Sequence, residues 1–205
     1  MANDVFLILH GLGGNKPTHW QEWIVGKLTE AGKTVAYPKM PDPSSPRLDA
    51  WQTALKDELA KIKANDPDAV LTVLTHSMGA ISWIHFAAQF EGAEPIAERV
   101  LLIAPPYVMP SALPLDFPDS VAEFFPPPFS PAKMKAAALE TVLIASDTDD
   151  YSTFDQASGY AAKLGIPIEK LSGAGHISPY YGYGEWPWVF DWCLRNAELP
   201  PLPNK

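Results

Sequence analysis

The stretch AVLTVLTHSMGAISWI, Ala69 to Ile84, sets a serine between two apolar segments. Ala69 to Thr75 is apolar or β-branched throughout, the pattern of a strand covered on both faces. Small and apolar residues then continue from Met78 to about Phe90 without a turn signal, which predicts a helix. Ser77 therefore sits on a sharp strand-to-helix corner. A serine hydroxyl is a weak nucleophile at neutral pH unless a base takes its proton and the oxygen is held clear of the sheet. Such a corner meets the second need, provided that the residues around it are small. Gly79 and Ala80 are small, whereas Thr75 stands where a G-x-S-x-G motif has glycine. Taken alone, such a corner is more often structural than catalytic.

Five more short runs flank this one. Val5–Leu9, Lys33–Tyr37, Arg99–Ala104, Thr141–Ala145 and Ile166–Leu171 read as strands. Helical patterns fall between them: about Thr18 to Gly32, a helix opened by Ser45 and Pro46 with Leu48, Trp51, Leu55, Leu59 and Ile62 on one face, Asp155 to Leu164, and about Glu185 to Asn196. Strands alternating with helices predict an α/β domain with a parallel sheet and helices on both faces. The expected strand order is 2-1-3-4-5-6, which opens a crevice at the carboxyl edge between strands 1 and 3, where Ser77 and the glycine-rich loop HGLGG (His10–Gly14) meet. The segment Pro105–Pro131 breaks the rhythm with nine prolines among aromatic and aliphatic residues. Missing amide donors exclude a long helix there, so a small lid over the site is expected.

A base and an acid follow the serine in the order that such a site requires. SGAGHIS after the last strand carries His176, and SDTDDYS after the fifth carries Asp147, Asp149 and Asp150. His176 would take the Ser77 proton, and one of the three carboxylates would fix its tautomer. Spacing does not choose among them. The developing oxyanion needs backbone donors: the amide of Met78 is one, and the loop after the first strand offers Leu12 first and Gly13 second. His10 is expected to brace that loop, while His19, Trp20 and Tyr107 are, with His10 and Gly13, candidates for the pocket wall. GLGGNK lacks the third glycine of a dinucleotide fingerprint. No histidine has companions at metal-ligand spacing, so no metal or organic cofactor is expected.

Composition narrows the classes of partner. Twenty-four acidic against fifteen basic residues give a net charge of −9, and the basic ones are scattered, which argues against nucleic acid and anionic membranes. One cysteine, Cys193, excludes an internal disulfide and fits a reducing cytoplasm. The N-terminal apolar run, Val5–Leu9, is five residues long and too short for a signal-peptide core. With 205 residues, one domain spanning 1–205 is expected.

Taken in order, HGLGG with His19–Trp20, THSMGA, TDDYS and GAGHIS resemble the family of small serine hydrolases that contains retinoblastoma-binding protein nine and YdeN. The resemblance implies a three-layer α/β-hydrolase fold without a large cap domain, Ser77 as nucleophile and His176 as base. It also implies the second aspartate of the T-D-D turn, Asp150, as the acid, with Asp149 as the fallback. The retinoblastoma-binding L-x-C-x-E sequence is absent, so that partner is not implied. The expected activity is hydrolysis of carboxylic esters through an acyl-enzyme. An aminopeptidase-like amide hydrolase or a catalytically weak binding protein of the same fold are the alternatives.

Overall fold

Six short runs pair side by side, all parallel, into one sheet in the computed structural model, which describes residues 3–202. The strands are β1 (Asp4–Leu9), β2 (Thr34–Ala36), β3 (Val70–His76), β4 (Ala97–Ile103), β5 (Ala138–Ala145) and β6 (Ile168–Lys170). Their order is β2-β1-β3-β4-β5-β6, as the alternation of elements predicts. The helices are α1 (Trp20–Glu30), α2 (Leu48–Asn65), α3 (Met78–Ala88), α4 (Pro131–Ala137), α5 (Phe154–Leu164) and α6 (Pro187–Cys193).

Each strand buries alternate residues in opposite directions, so the sheet separates two apolar layers. Val5, Leu7 and Leu9 of β1 pack with Trp51 and Leu55 of α2, Trp83 of α3 and Tyr160 of α5. Phe6 and Ile8 face the other way, against Trp20, Ile24 and Leu28 of α1 and Trp188, Val189 and Trp192 of α6. The clustered tryptophans of the sequence belong to this second layer, where Trp20, Trp186, Trp188 and Trp192 follow one another ring against ring.

Two elements differ from the expectation. α2 starts at Leu48 with Arg47, not Ser45, in the cap position. Its Leu48 amide donates instead to Glu123 Oε2 at 3.2 Å, and Arg47 pairs with the same carboxylate at 2.9 Å. A partner distant in the sequence thus replaces the local cap. α4, in the run Pro131–Ala137, is a further helix; Ser130 before Pro131 is its start signal. The second half of the proline-rich segment is held down: Val121 and Phe124 are fully buried against α2 and α3, and His85 of α3 donates through Nε2 to the Phe124 carbonyl at 2.9 Å.

The corner between β3 and α3 is the tightest point of the chain. Ser77 holds φ 55° and ψ −122°, a region that side chains rarely adopt. A β-carbon at residue 79 would lie 2.4 Å from the Leu9 carbonyl oxygen, so only glycine lets α3 start so close to β1. We expect Gly79→Ala to destabilise the fold by about 1–3 kcal/mol in urea denaturation, because neither backbone can yield without moving a central strand. Gly159→Ala, inside α5 with open space around it, should stabilise by about 0.5–1 kcal/mol in the same experiment.

Candidate active site

Three loops meet at the carboxyl edge of the sheet. The first follows β3 and carries Ser77, whose amide donates to the Ile103 carbonyl of β4 at 2.9 Å. The departure at Thr75 has a local reason. Its hydroxyl donates to the Leu101 carbonyl at 2.9 Å, and the residue is an ordinary, fully buried strand position. Close approach falls instead on Gly79 and on Gly11, where a β-carbon would sit 2.8 Å from Cβ of Ser77.

The second and third loops are joined by successive side-chain bonds. The Ala174 amide donates to Ser146 Oγ at 3.0 Å, the Gly173 amide to Asp147 Oδ1 at 2.8 Å and the Gly175 amide to Thr148 Oγ1 at 3.0 Å. The next residues in the two loops are Asp149 and His176, and both carboxylate oxygens of Asp149 lie 2.9 Å from His176 Nδ1. This corrects the expectation for the acid: the carboxylate on the imidazole belongs to Asp149, not Asp150. Register is the cause. Three preceding bonds set which residue arrives opposite His176, and Asp150 points away to accept from the Tyr181 hydroxyl. That bond pushes the Tyr181 phenol up to about 12. The bonded amide of Gly173 holds the Asp147 carboxyl below its ordinary range.

The other histidines are braces. His10 donates from Nδ1 to the Gly11 carbonyl at 2.8 Å and accepts the Met40 amide on Nε2 at 3.2 Å, tying the loop after β1 to the loop after β2. His76 donates from Nε2 to the carbonyl of His176 at 2.9 Å, so the residue beside Ser77 holds the histidine loop directly. His19 caps α1, its Nδ1 accepting the Gln21 amide at 3.1 Å. Burial lowers the pKa of all three, taking His19 to about 3 and His76 well below its ordinary value.

Ser77 and His176 line one cavity of about 410 Å³ together with Leu12, His19, Phe117 and Tyr151. Of the expected pocket residues His19 alone is on this wall. His10 and Trp20 are buried behind it, with the Trp20 indole donating to the Ile177 carbonyl at 3.0 Å. Gly13 lies outside, its amide taken by the Pro43 carbonyl at 2.7 Å, and Tyr107 stacks against Tyr160 instead. From the proline-rich segment only Asp116 and Phe117 reach the cavity. They are fastened to Tyr151: its hydroxyl donates to Asp116 Oδ2 at 2.7 Å and its ring stacks on Phe117 at 5.3 Å. Tyr151 also sets its ring edgewise on His176 at 4.7 Å. Tyr151 stands in the TDDYS turn, and Asp116 and Phe117 stand in the segment expected as a lid, but no local pattern joins the three. Among the described residues no group of three His, Cys, Asp or Glu side chains is placed to hold a metal ion, and no helix is long and apolar enough to cross a membrane.

A parallel sheet of this order, with a strained serine after its third strand, defines an α/β-hydrolase fold. The serine hydrolase family profile matches residues 6–194, and the chain belongs to that family. The Bacillus subtilis protein YdeN is 23% identical over 191 residues, 93% of this chain and 94% of YdeN. The solved YdeN structure is similar with a TM-score of 0.76 at 21% identity, covering 95% of this chain and 98% of that one. A YdeN-like protein from Pectobacterium atrosepticum gives 0.72 at 20% identity over 94% and 90% of the two chains. Est1E from Butyrivibrio proteoclasticus gives 0.68 at 14% identity over 95% and 88%.

Two outcomes follow from the loops and the braces. Ser146 and Ala174 are both buried, so Ser146→Ala strands an amide without a partner and should destabilise by about 1–3 kcal/mol in denaturant titration. The buried histidines stay neutral where the unfolded chain would protonate them, so the unfolded state binds more protons and stability falls as pH drops below about 6.5. For His19 the loss runs from 6.5 down to about 3, at up to about 1.4 kcal/mol per pH unit. Urea midpoints measured at several pH values should show a shallower decline in His19→Asn than in the wild type.

Proposed function

We propose that the chain hydrolyses carboxylic esters through an acyl-enzyme, with Ser77 as nucleophile, His176 as general base and Asp149 as the orienting acid. The observation that carries this reading is the Asp149 carboxylate, both oxygens 2.9 Å from His176 Nδ1, behind a histidine that shares a cavity with a strained serine. Asp149 on Nδ1 keeps the proton there and leaves Nε2 as the basic nitrogen. His176 Nε2 takes the Ser77 proton as Oγ adds to the ester carbonyl. The tetrahedral oxyanion accepts from the Met78 amide, in the first turn of α3 where no intrahelical acceptor exists, and from the Leu12 amide. Gly13 is not the second donor, since its amide is engaged by Pro43.

Collapse of the intermediate breaks the bond to the alkoxy oxygen, which leaves as alcohol with the proton from His176. Water then gives up a proton to His176 and adds to the acyl carbonyl, and Ser77 recovers that proton as the carboxylic acid departs. An alcohol leaving group asks less of the proton donor than an amine does. That favours esters over amides. Support also comes from the neighbour Est1E, which has been solved with ferulic acid bound, and from the aromatic wall of Phe117 and Tyr151.

A fluorophosphonate probe should label Ser77 in the wild type, not label Ser77→Ala, and label His176→Ala weakly. On an activated ester, Asp149→Asn should lose about 10⁴-fold in kcat while Asp150→Asn stays within several-fold of the wild type. A folded protein that takes no label, or an Asp150→Asn as crippled as Asp149→Asn, would refute the reading.

A further inference from the structure

His19 is a buried side chain on the cavity wall that the acyl-transfer scheme does not use. Its Nδ1 accepts the Gln21 amide, which places the ring proton on Nε2. Among the described residues Nε2 has no hydrogen-bond partner, yet it is not one of the polar atoms sealed from solvent, and the residue that carries it lines the cavity. The ring is immobilised, edgewise on His76 at 4.9 Å and tilted on Trp20 at 5.6 Å, with the residue only 6% exposed. Burial, aided by His176 and His10, keeps it neutral, so it cannot relay protons near neutral pH. Asn15 beside it offers no substitute, because its amide already donates to Gln21 at 2.8 Å and to Tyr37 at 2.7 Å. A substrate that covers the imidazole with carbon alone buries a donor without a partner, and a site built this way rejects such a substrate.

We propose that the Nε2–H of His19 is a substrate-binding donor, and that the esters turned over here carry a second acceptor oxygen, an ether, hydroxyl or carbonyl oxygen beyond the scissile group, which it reads. The substrate class rests on the ester-hydrolase reading of the same cavity. The phenyl-walled side, Phe117 and Tyr151, takes the apolar part of the same molecule.

His19→Asn separates the two duties of the residue: asparagine keeps an oxygen for the Gln21 amide at the cap but is too short to present a donor in the cavity. Two pairs of equal-sized esters read the consequence, 4-nitrophenyl butyrate with 4-nitrophenyl methoxyacetate on the acyl side, and butyl acetate with 2-methoxyethyl acetate on the alcohol side. Intrinsic reactivity cancels when each ester is compared between wild type and variant. In one pair the substitution should lower kcat/KM for the oxygenated member about fivefold more than for its carbon analogue, mainly through KM. An equal loss on all four esters, or none, would overturn the proposal. Imidazole ¹⁵N spectra give a reading that needs no turnover: His19 should be the neutral Nε2–H tautomer near neutral pH, and an Nδ1–H tautomer would overturn it too. Failure of the underlying reading looks different, since wild type and Ser77→Ala would then be equally inactive on every ester; the substrate class falls with it, and the tautomer spectrum still judges the donor.

Discussion

The pairing of the turn after β5 with the loop after β6 is the constraint on which the site depends. Ser146, Asp147 and Thr148 each accept a backbone amide from Ala174, Gly173 or Gly175. Neither loop has regular structure of its own, and β6 is only three residues long, so these bonds do the work that a longer sheet edge would do. A slip of one residue would carry Asp149 off the imidazole and offer it a residue with a different direction. His76 adds a constraint from the opposite side, through the His176 carbonyl, so the imidazole is held by its backbone from β3 and by its ring from β5. The serine and the histidine are therefore fixed relative to each other through one strand end.

What was legible in the sequence follows from which interactions are local. Apolar runs of strand length between helical patterns gave the sheet and its order, because burial on both faces leaves a residue-level record in β1 and β3. Ser77 and His176 were legible because a corner between two apolar elements and a glycine-flanked loop are themselves local patterns. The acid was not. Asp149 and Asp150 are neighbours of identical chemistry, and the choice between them is made by the bonds from residues 173 to 175, which no spacing within SDTDDYS encodes. The start of α2 was hidden for the same reason, since Glu123 caps it from a segment distant in the chain. Tyr107 looked like a pocket residue as an aromatic of the proline-rich segment, but Tyr160 captures its ring.

Histidine use in this chain shows how the partner of the ring divides one buried residue type into two roles. His10, His76 and His85 each join two loops or a loop and a helix, and each has its pKa lowered by burial. A neutral imidazole suits this task because it bridges backbone groups without bringing a charge into the core. His176 differs in having the Asp149 carboxylate 2.9 Å from its Nδ1. In the proposed acyl transfer the charge would therefore fall on that one imidazole, while its neighbours bridge backbone groups.

The corner at Ser77 has the opposite character to the zipped loops, since its backbone is unfavourable by about 1–3 kcal/mol and is kept only because surrounding contacts determine it. Those contacts are identifiable. The Ser77 amide is anchored on β4, α3 is buried along nearly its whole length, and Gly79 and Gly11 let two backbones pass at distances that any side chain would forbid. Thr75 belongs to this account as well. The motif glycine at that position is dispensable where the residue stays in extended, paired strand and its hydroxyl finds the Leu101 carbonyl. The requirement for small residues thus follows the path of closest backbone approach, across residues 11 and 79, and a search for glycine two places before the serine looks on the wrong side of the corner.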